Sequence, residues 1–254
     1  MRIQLLVACG ALSLLPSCFS LGAEAQAGYG QMAVSGDLGY VSGSTSLNVR
    51  QDVESAFGLG DDQGAPYVRA MVDFGVPQLS VSAFQFSDSG DGTLTTNFGD
   101  SPTLISGAPV HSELDMMNVK AAYAFEIGLG PVSISPGLGV DYFDLDVKVR
   151  DLIGIASEQV ELQAPIPIGF VRATLDLGPL DLLAEVGYSA VDVDDVSGSF
   201  LDIDAMLSYE VVGMLDLWAG YRSMNIQVDG LVDGDTVDTD LTISGFFVGG
   251  GLRF

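Results

Sequence analysis

LTISGFFVGGGLRF, residues Leu241–Phe254, is the stretch from which the fold can be read. Written as an extended strand, it puts Phe246, Val248, Leu252 and Phe254 on one face. Gly245, Gly249, Gly251 and Arg253 fall on the other, and only Phe247 breaks the pattern. Strand side chains alternate with a period of two, so one side of this strand is greasy and the other small or charged.

The same alternation recurs upstream. Leu201–Val211 sets Leu201, Ile203, Ala205, Leu207, Tyr209 and Val211 against Asp202, Asp204, Met206, Ser208 and Glu210. Leu180–Ala190 opposes Leu180, Leu182, Ala184, Val186 and Tyr188 to Asp181, Glu185 and Ser189. Leu215–Arg222 opposes Leu215, Leu217, Ala219 and Tyr221 to Asp216, Trp218, Gly220 and Arg222. Met117–Ile127 has Lys120 and Glu126 on its polar side, and Val68–Phe74 has Arg69 and Asp73. Such a period is the mark of half-buried strands. Two segments are less regular. In Val132–Val149 the apolar phase changes after Tyr142, which implies either a bulge or a strand that leaves the membrane there. Gln163–Leu177 slips phase around Phe170.

Apolar residues make up 48% of the chain and mean hydropathy is positive. Beyond the N-terminus, however, no run approaches the about 20 residues a membrane helix needs. The apolar residues are dispersed, as alternating strands require. Connections also alternate in kind. Short turns fall at Gly75–Pro77, Gly128–Pro131, Gly178–Pro179 and Gly213–Met214. Longer polar links fall at Gln51–Gly64, Asp88–His111, Asp151–Ser157, Asp192–Gly198 and Gly230–Asp238. Tight turns at one end and long loops at the other are the asymmetry of outer-membrane barrels.

At the N-terminus, Arg2 precedes an apolar run, Leu5–Leu15, too short to span a bilayer but suited to a secretory signal. Small-x-small sites follow at Ala23-Glu24-Ala25 and Ala25-Gln26-Ala27, giving a signal peptide over 1–27 and a barrel domain over 28–254. Leu15-Pro16-Ser17-Cys18 offers a competing lipobox. Cys9 and Cys18 are the only cysteines, so the mature domain carries no disulfide framework. Net charge is −25, which excludes nucleic acid as a partner.

The chain resembles Gram-negative outer-membrane β-barrel proteins of small to medium size. The resemblance covers the whole mature chain. The row Phe246, Val248, Leu252 and Phe254 resembles the assembly signal read by the barrel-assembly machinery, with Gly250 where an aromatic is common. Leu47–Asp62 also resembles a segment of poorly characterised barrels. The implied fold is an all-β, transmembrane, antiparallel up-and-down barrel of about ten strands, with eight or twelve left open. The first strand is expected within Gln31–Val49. The implied location is the outer membrane, with its lipids and lipopolysaccharide as surroundings.

In that reading Arg69, Asp73, Lys120, Glu126, Asp181, Glu185, Asp202, Asp204, Glu210, Asp216, Arg222 and Arg253 face the lumen. They form either a charge-lined plug or a narrow, cation-favouring channel; a large porin-like pore needs more strands. Tyr123, Tyr142, Tyr188, Tyr209 and Tyr221 suit the membrane interfaces. The acidic runs Asp192–Asp195 and Asp229–Asp240 lack calcium-loop spacing, and neither metal nor cofactor is expected. Two alternatives stand beside this one. The first is a lipid- or peptide-processing barrel enzyme using His111, whose neighbour Ser112 would point to the opposite face of a strand. The second is a soluble periplasmic barrel with the faces reversed and an apolar ligand inside. The leading expectation is a non-enzymatic barrel.

Overall fold

The computed structural model describes residues 21–41, 43, 50–153, 156–193, 196–232 and 235–254. In chain order the elements are β1 (Gly22–Val41), β2 (Gln51–Asp52), α1 (Val53–Phe57), β3 (Gln63–Asp73), β4 (Pro77–Thr93), β5 (Pro109–Phe125) and β6 (Ile127–Leu129). They continue with β7 (Val132–Asp151), β8 (Ser157–Asp176), β9 (Leu180–Val193), β10 (Val196–Val212), β11 (Leu215–Val232) and β12 (Asp235–Arg253). Neighbours in the chain pair antiparallel around the sheet, and β12 pairs back onto β1, which closes the ring. β2 and β6 are short pieces beside β1 and β7, so among the described residues the wall has ten staves. Toward the short turns every stave pairs on both sides, as a sheet in hydrocarbon requires, while β8 and β9 pair only over Gly169–Asp176 and Asp181–Tyr188.

The short connections turn on left-handed glycines. Gly75, Gly130, Gly178 and Gly213 have φ of 95°, 75°, 87° and 54°, where a side chain would be strained. Several staves are longer than the 9–11 residues that cross a bilayer; β1, β7 and β8 each have 20. The surplus extends the barrel beyond the membrane at the long-loop end.

At that boundary the wall exchanges its faces. β7 shows it most plainly. Ile134, Leu138, Val140 and Tyr142 point outward and are exposed, Leu138 at 72%. From the next outward position on, the outward residues are Asp144, Asp146, Lys148 and Arg150, while Phe143, Leu145, Val147 and Val149 are buried inside. Pairing to β5 and β8 runs unbroken through Tyr142, so there is no bulge. The strand keeps its parity and leaves the membrane. The change occurs at matching rungs elsewhere. On β5 it falls between Asp115 and Met117 outside, and on β11 between Tyr221 and Ser223. β8 likewise never slips. Its even residues face inward throughout, from Val160 and Leu162 through Ile168 and Phe170 to Arg172. The apparent slip arose because apolar residues occupy the inner face there.

Other expectations need revising. The first strand is Gly22–Val41, not a segment of Gln31–Val49, because its N-terminal half completes the seam with β12 and β3. The long links are shorter than the polar stretches suggested, since strands continue above the membrane; the link after β4 begins at Leu94. The leader run Leu5–Leu15, with Cys9 and Cys18, lies outside the described residues, and the expected boundary at Ala27 falls within β1.

The lumen as the candidate functional site

Along its axis the interior has three layers. Nearest the short turns is an open vestibule of about 360 Å³, lined by Glu24, Asp73, Glu126, Asp176 and Asp181 with Arg172 and Arg253 among the acids. Arg253 Nη1 donates to Asp181 Oδ2 at 2.7 Å and its Nε lies 3.3 Å from Asp216 Oδ2. Gln78 donates to both Asp73 and Glu126.

Above the vestibule lies a layer of buried ion pairs. Lys120 Nζ donates to Glu185 Oε1 at 2.6 Å and to Asp202 Oδ2 at 3.0 Å. Arg172 holds the other oxygen of Glu185, with Nε at 2.8 Å and Nη2 at 2.7 Å. Arg222 grips Asp202 with two nitrogens, at 3.0 and 3.1 Å, and gives a third bond to Asn118 Oδ1 at 3.2 Å. Asn118 in turn donates to the buried Asp141 at 2.9 Å. Two carboxylates thus pair with three cations supplied by β5, β8 and β11. Low dielectric strengthens such pairs, and leaving one member alone is costly. Arg69, Asp204 and Arg222 border a residual space of about 10 Å³, the room of roughly one water.

Aromatic rings pack against this layer. Lys120 Nζ and the Arg172 guanidinium sit 5.3 and 5.6 Å from the Phe170 centroid, and Arg222 lies 5.7 Å from that of Phe84. These distances are those of cation–π contacts. Phe84 meets Phe247 at 5.9 Å, Phe247 meets Tyr67 at 5.4 Å, and Tyr67 meets Trp218 at 5.7 Å. Phe247, the misfit of the terminal strand, is therefore an inward ring of this aromatic cluster. A Cβ on Gly28 or Gly249 would lie within 2.6 Å of the Trp218 ring, so those glycines make its slot.

The third layer, outside the membrane, is an apolar core. Helix α1 enters the lumen and buries Val53, Ala56 and Phe57. Leu94, Phe98 and Leu104 come from the link after β4, and Phe143, Val147, Phe200 and Ile243 from the wall. Phe57 packs edge-on to Phe98 at 5.4 Å, and Phe143 to Phe200 at 4.7 Å. Gly90 and Gly92 admit the backbone of α1, since a Cβ there would meet Gly58 O at 1.8 Å or Ala56 O at 2.2 Å. Asp52 caps the helix, accepting from Ser55 N at 2.8 Å, and that backbone bond holds its carboxyl below the usual range. Buried Gln51 accepts from Thr95 N at 2.7 Å and Thr96 N at 3.0 Å, and Asp88 from Gly60 N at 2.7 Å. At the outer rim Tyr40 donates to Asp235 at 2.9 Å; burial first, then that bond, push its phenol up to about 12.

Of the charges expected in the lumen, Arg69, Lys120, Glu185, Asp202, Asp216 and Arg222 are buried. Asp204 is half-buried beside them, and Asp73, Glu126, Asp181 and Arg253 stand in the vestibule. Glu210 is not brought there. It is exposed at the short-turn end of β10, where the register shifts before Val212. Phe246, Val248, Leu252 and Phe254 all face outward and are exposed, Phe246 at 70%. The five interfacial tyrosines are outward too. His111 lies on the outer wall above the membrane, with Nδ1 2.7 Å from Asp91 and Nε2 3.6 Å from Glu113. Ser112 points inward and is fully buried, so the two do not meet. In the acidic run Asp235 accepts from Gly43 N and Asp240 from Asn225, while Asp194, Asp195 and Asp233 lie outside the described residues. The plug residues Phe57, Phe98 and Leu104 were missed because they sit in links without strand periodicity. The only signal was that such apolar residues recur in segments otherwise polar.

A closed antiparallel ring, an apolar belt outside and polar pairs inside leave one class of fold. The fold is that of a Gram-negative outer-membrane β-barrel. Among solved structures, the outer membrane protease OmpT from Escherichia coli superposes with a TM-score of 0.53 at 8% identity, over 94% of this chain and 98% of that one. Ail, the attachment invasion locus protein of Yersinia pestis, aligns over 92% and 98% at 13% identity with a TM-score of 0.39. The toluene transporter TodX of P. putida aligns over 91% and 89% at 7% identity with a TM-score of 0.35. No protein-family model and no curated protein matches the chain. In outer-membrane barrels the short turns face the periplasm and the long loops the cell exterior.

Proposed function

We propose that this chain is a closed, non-conducting outer-membrane barrel. Its lower half anchors it in lipid, and its upper half holds a rigid, acidic platform above the outer leaflet. The observation that carries this reading is the apolar third layer. A hydrated cation entering the vestibule meets ion pairs packed among aromatic rings, with room for about one water, then a packed hydrocarbon core. Removing an ion from water into such a core costs far more than acidic walls repay. The structural reading is thereby favoured over the cation channel.

The reading is also non-enzymatic. Carboxylates face both ring nitrogens of His111, and the adjacent hydroxyl is on the other side of the wall. The lipid-facing row from Phe246 to Phe254 is the part offered to the barrel-assembly machinery. Planar-bilayer recording tests the reading. Purified protein is expected to insert without discrete conductance steps, and steady single-channel steps in potassium chloride contradict it.

A further inference from the structure

We infer that the vestibule at the short turns binds linear aliphatic diamines and polyamines, organic cations that carry ammonium groups on a methylene chain. The vestibule is a blind cup of about 360 Å³, within the roughly 300–1,000 Å³ of small-molecule pockets. The ion-pair layer closes it from above, with room there for about one water. Its acids are not matched by cations of the chain. Asp73 accepts from Gly75 N at 2.6 Å and from Gln78 at 3.2 Å, Glu126 from the same Gln78 side chain, and Asp176 from Gly178 N at 2.8 Å. All of these donors are neutral. Of the two arginines lining the cup, Arg172 is held by Glu185, and Arg253 by Asp181 and Asp216. Asp73, Glu126 and Asp176 therefore face the cup without an ion pair among the described residues.

Carboxylates alone gather counter-ions without choosing among them; the rest of the lining makes the choice. On β10, Ser208 is 4% exposed, lines the cup and makes no hydrogen bond among the described residues. On the adjoining β11, Asp216 Oδ2 is buried without a hydrogen bond, although Arg253 Nε stands 3.3 Å away. Buried oxygens of this kind lack donors, and an ammonium brings three. Between the acids the lining is apolar, from Met71, Val132, Leu183 and Met206. A methylene chain gains by covering that surface, and a metal ion does not. Hard divalent cations need converging oxygens, and no such group of ligands occurs among the described residues. An amine with ammonium groups at both ends instead suits carboxylates set apart on β3, on β8 and between β5 and β6.

Isothermal titration calorimetry on the full protein in detergent, at fixed ionic strength, tests the site with putrescine, spermidine and magnesium chloride. Saturable binding of both amines is expected, with magnesium weaker. Asp73→Asn with Glu126→Gln should weaken putrescine by about tenfold or more, the loss of a charge-assisted hydrogen bond. Leu183→Lys, which tethers an ammonium inside the cup, should abolish binding; it serves as the second test if the first variant does not close. Asp144→Asn with Asp146→Asn, on the outer wall above the membrane, should leave the affinity unchanged. Fast migration in SDS before heating identifies the variants that form a closed barrel. No saturable amine binding to the parent overturns the inference, and so does magnesium bound more tightly than the amines. Putrescine binding that survives Leu183→Lys, or that falls equally in the vestibule and outer-wall variants, overturns it too. Binding is read without ion flow, so this result stands apart from the conductance test.

Discussion

Val132–Tyr142 and Phe143–Asp151 are two parts of one strand that meet opposite solvents. In the first, hydrocarbon lies outside, so burying an apolar side chain in the lumen gains nothing over leaving it in lipid. The interior is free to hold Lys120, Arg172, Glu185, Asp202 and Arg222, provided each is paired. In the second, water lies outside, and burying Phe143, Val147 and Val149 returns roughly 25 cal/mol per Å² of apolar surface. The same wall, with unbroken hydrogen bonding, is glued by ion pairs below Tyr142 and by the hydrophobic effect above it. Which face is apolar is therefore a statement about the surroundings at that height, not about the strand.

The comparison breaks most severely at the ion-pair layer. Asp202→Ala strips Lys120 and Arg222 of a shared carboxylate and should destabilise the barrel by about 3–5 kcal/mol. Urea unfolding in lipid vesicles measures it, and a loss near zero would mean the layer is hydrated rather than tightly paired. Next come charges placed on the outer wall. Leu138→Arg, near mid-belt, should cost about 2–4 kcal/mol. Gln163→Arg, outward just above the belt on β8, should stay within about 0.5 kcal/mol. Equal costs would erase the boundary between the halves.

The smallest effect sharpens the upper half. Asp52→Ala removes the cap of α1 and should cost about 1 kcal/mol. It should raise hydrogen exchange around residues 51–60 while leaving β9 and β11 unchanged. The pH dependence has a defined sign. The folded carboxyl sits below its ordinary value, so the cap contributes fully above that value and is lost as pH falls through the depressed one. Exchange in α1 should accordingly rise on acidification in the parent and change less in the variant.

Much of this was legible in the sequence, because a period of two survives wherever one face is apolar. The alternation of Leu201–Val211 assigns its faces without a structure, and turn glycines such as Gly178 mark the periplasmic end. The phase change at Tyr142 could be narrowed to two explanations, and an unbroken register selects the one in which the strand leaves the membrane. Three things were hidden. Ion-pair partners such as Lys120 and Asp202 are far apart in sequence and meet only across the lumen. Phe170 looked out of phase because the lumen, unlike a polar channel wall, places an aromatic face over Lys120 and Arg172, and Phe247 because it packs inward against Tyr67 and Phe84. The start of β1 was obscured because Ala23–Ala27 satisfies a cleavage pattern and a strand pattern equally well.

The inversion at Tyr142 is most directly tested by labelling single cysteines on β7 with a membrane-impermeant maleimide in intact cells. The chain's own cysteines, Cys9 and Cys18, both precede β1. Cysteines at positions 146 and 150 should react readily, while those at 138 and 140 should stay unlabelled until detergent is added, and one at 147 until the barrel is unfolded. Rapid labelling at 138 and 140 in intact cells, with 146 and 150 protected, would contradict the account.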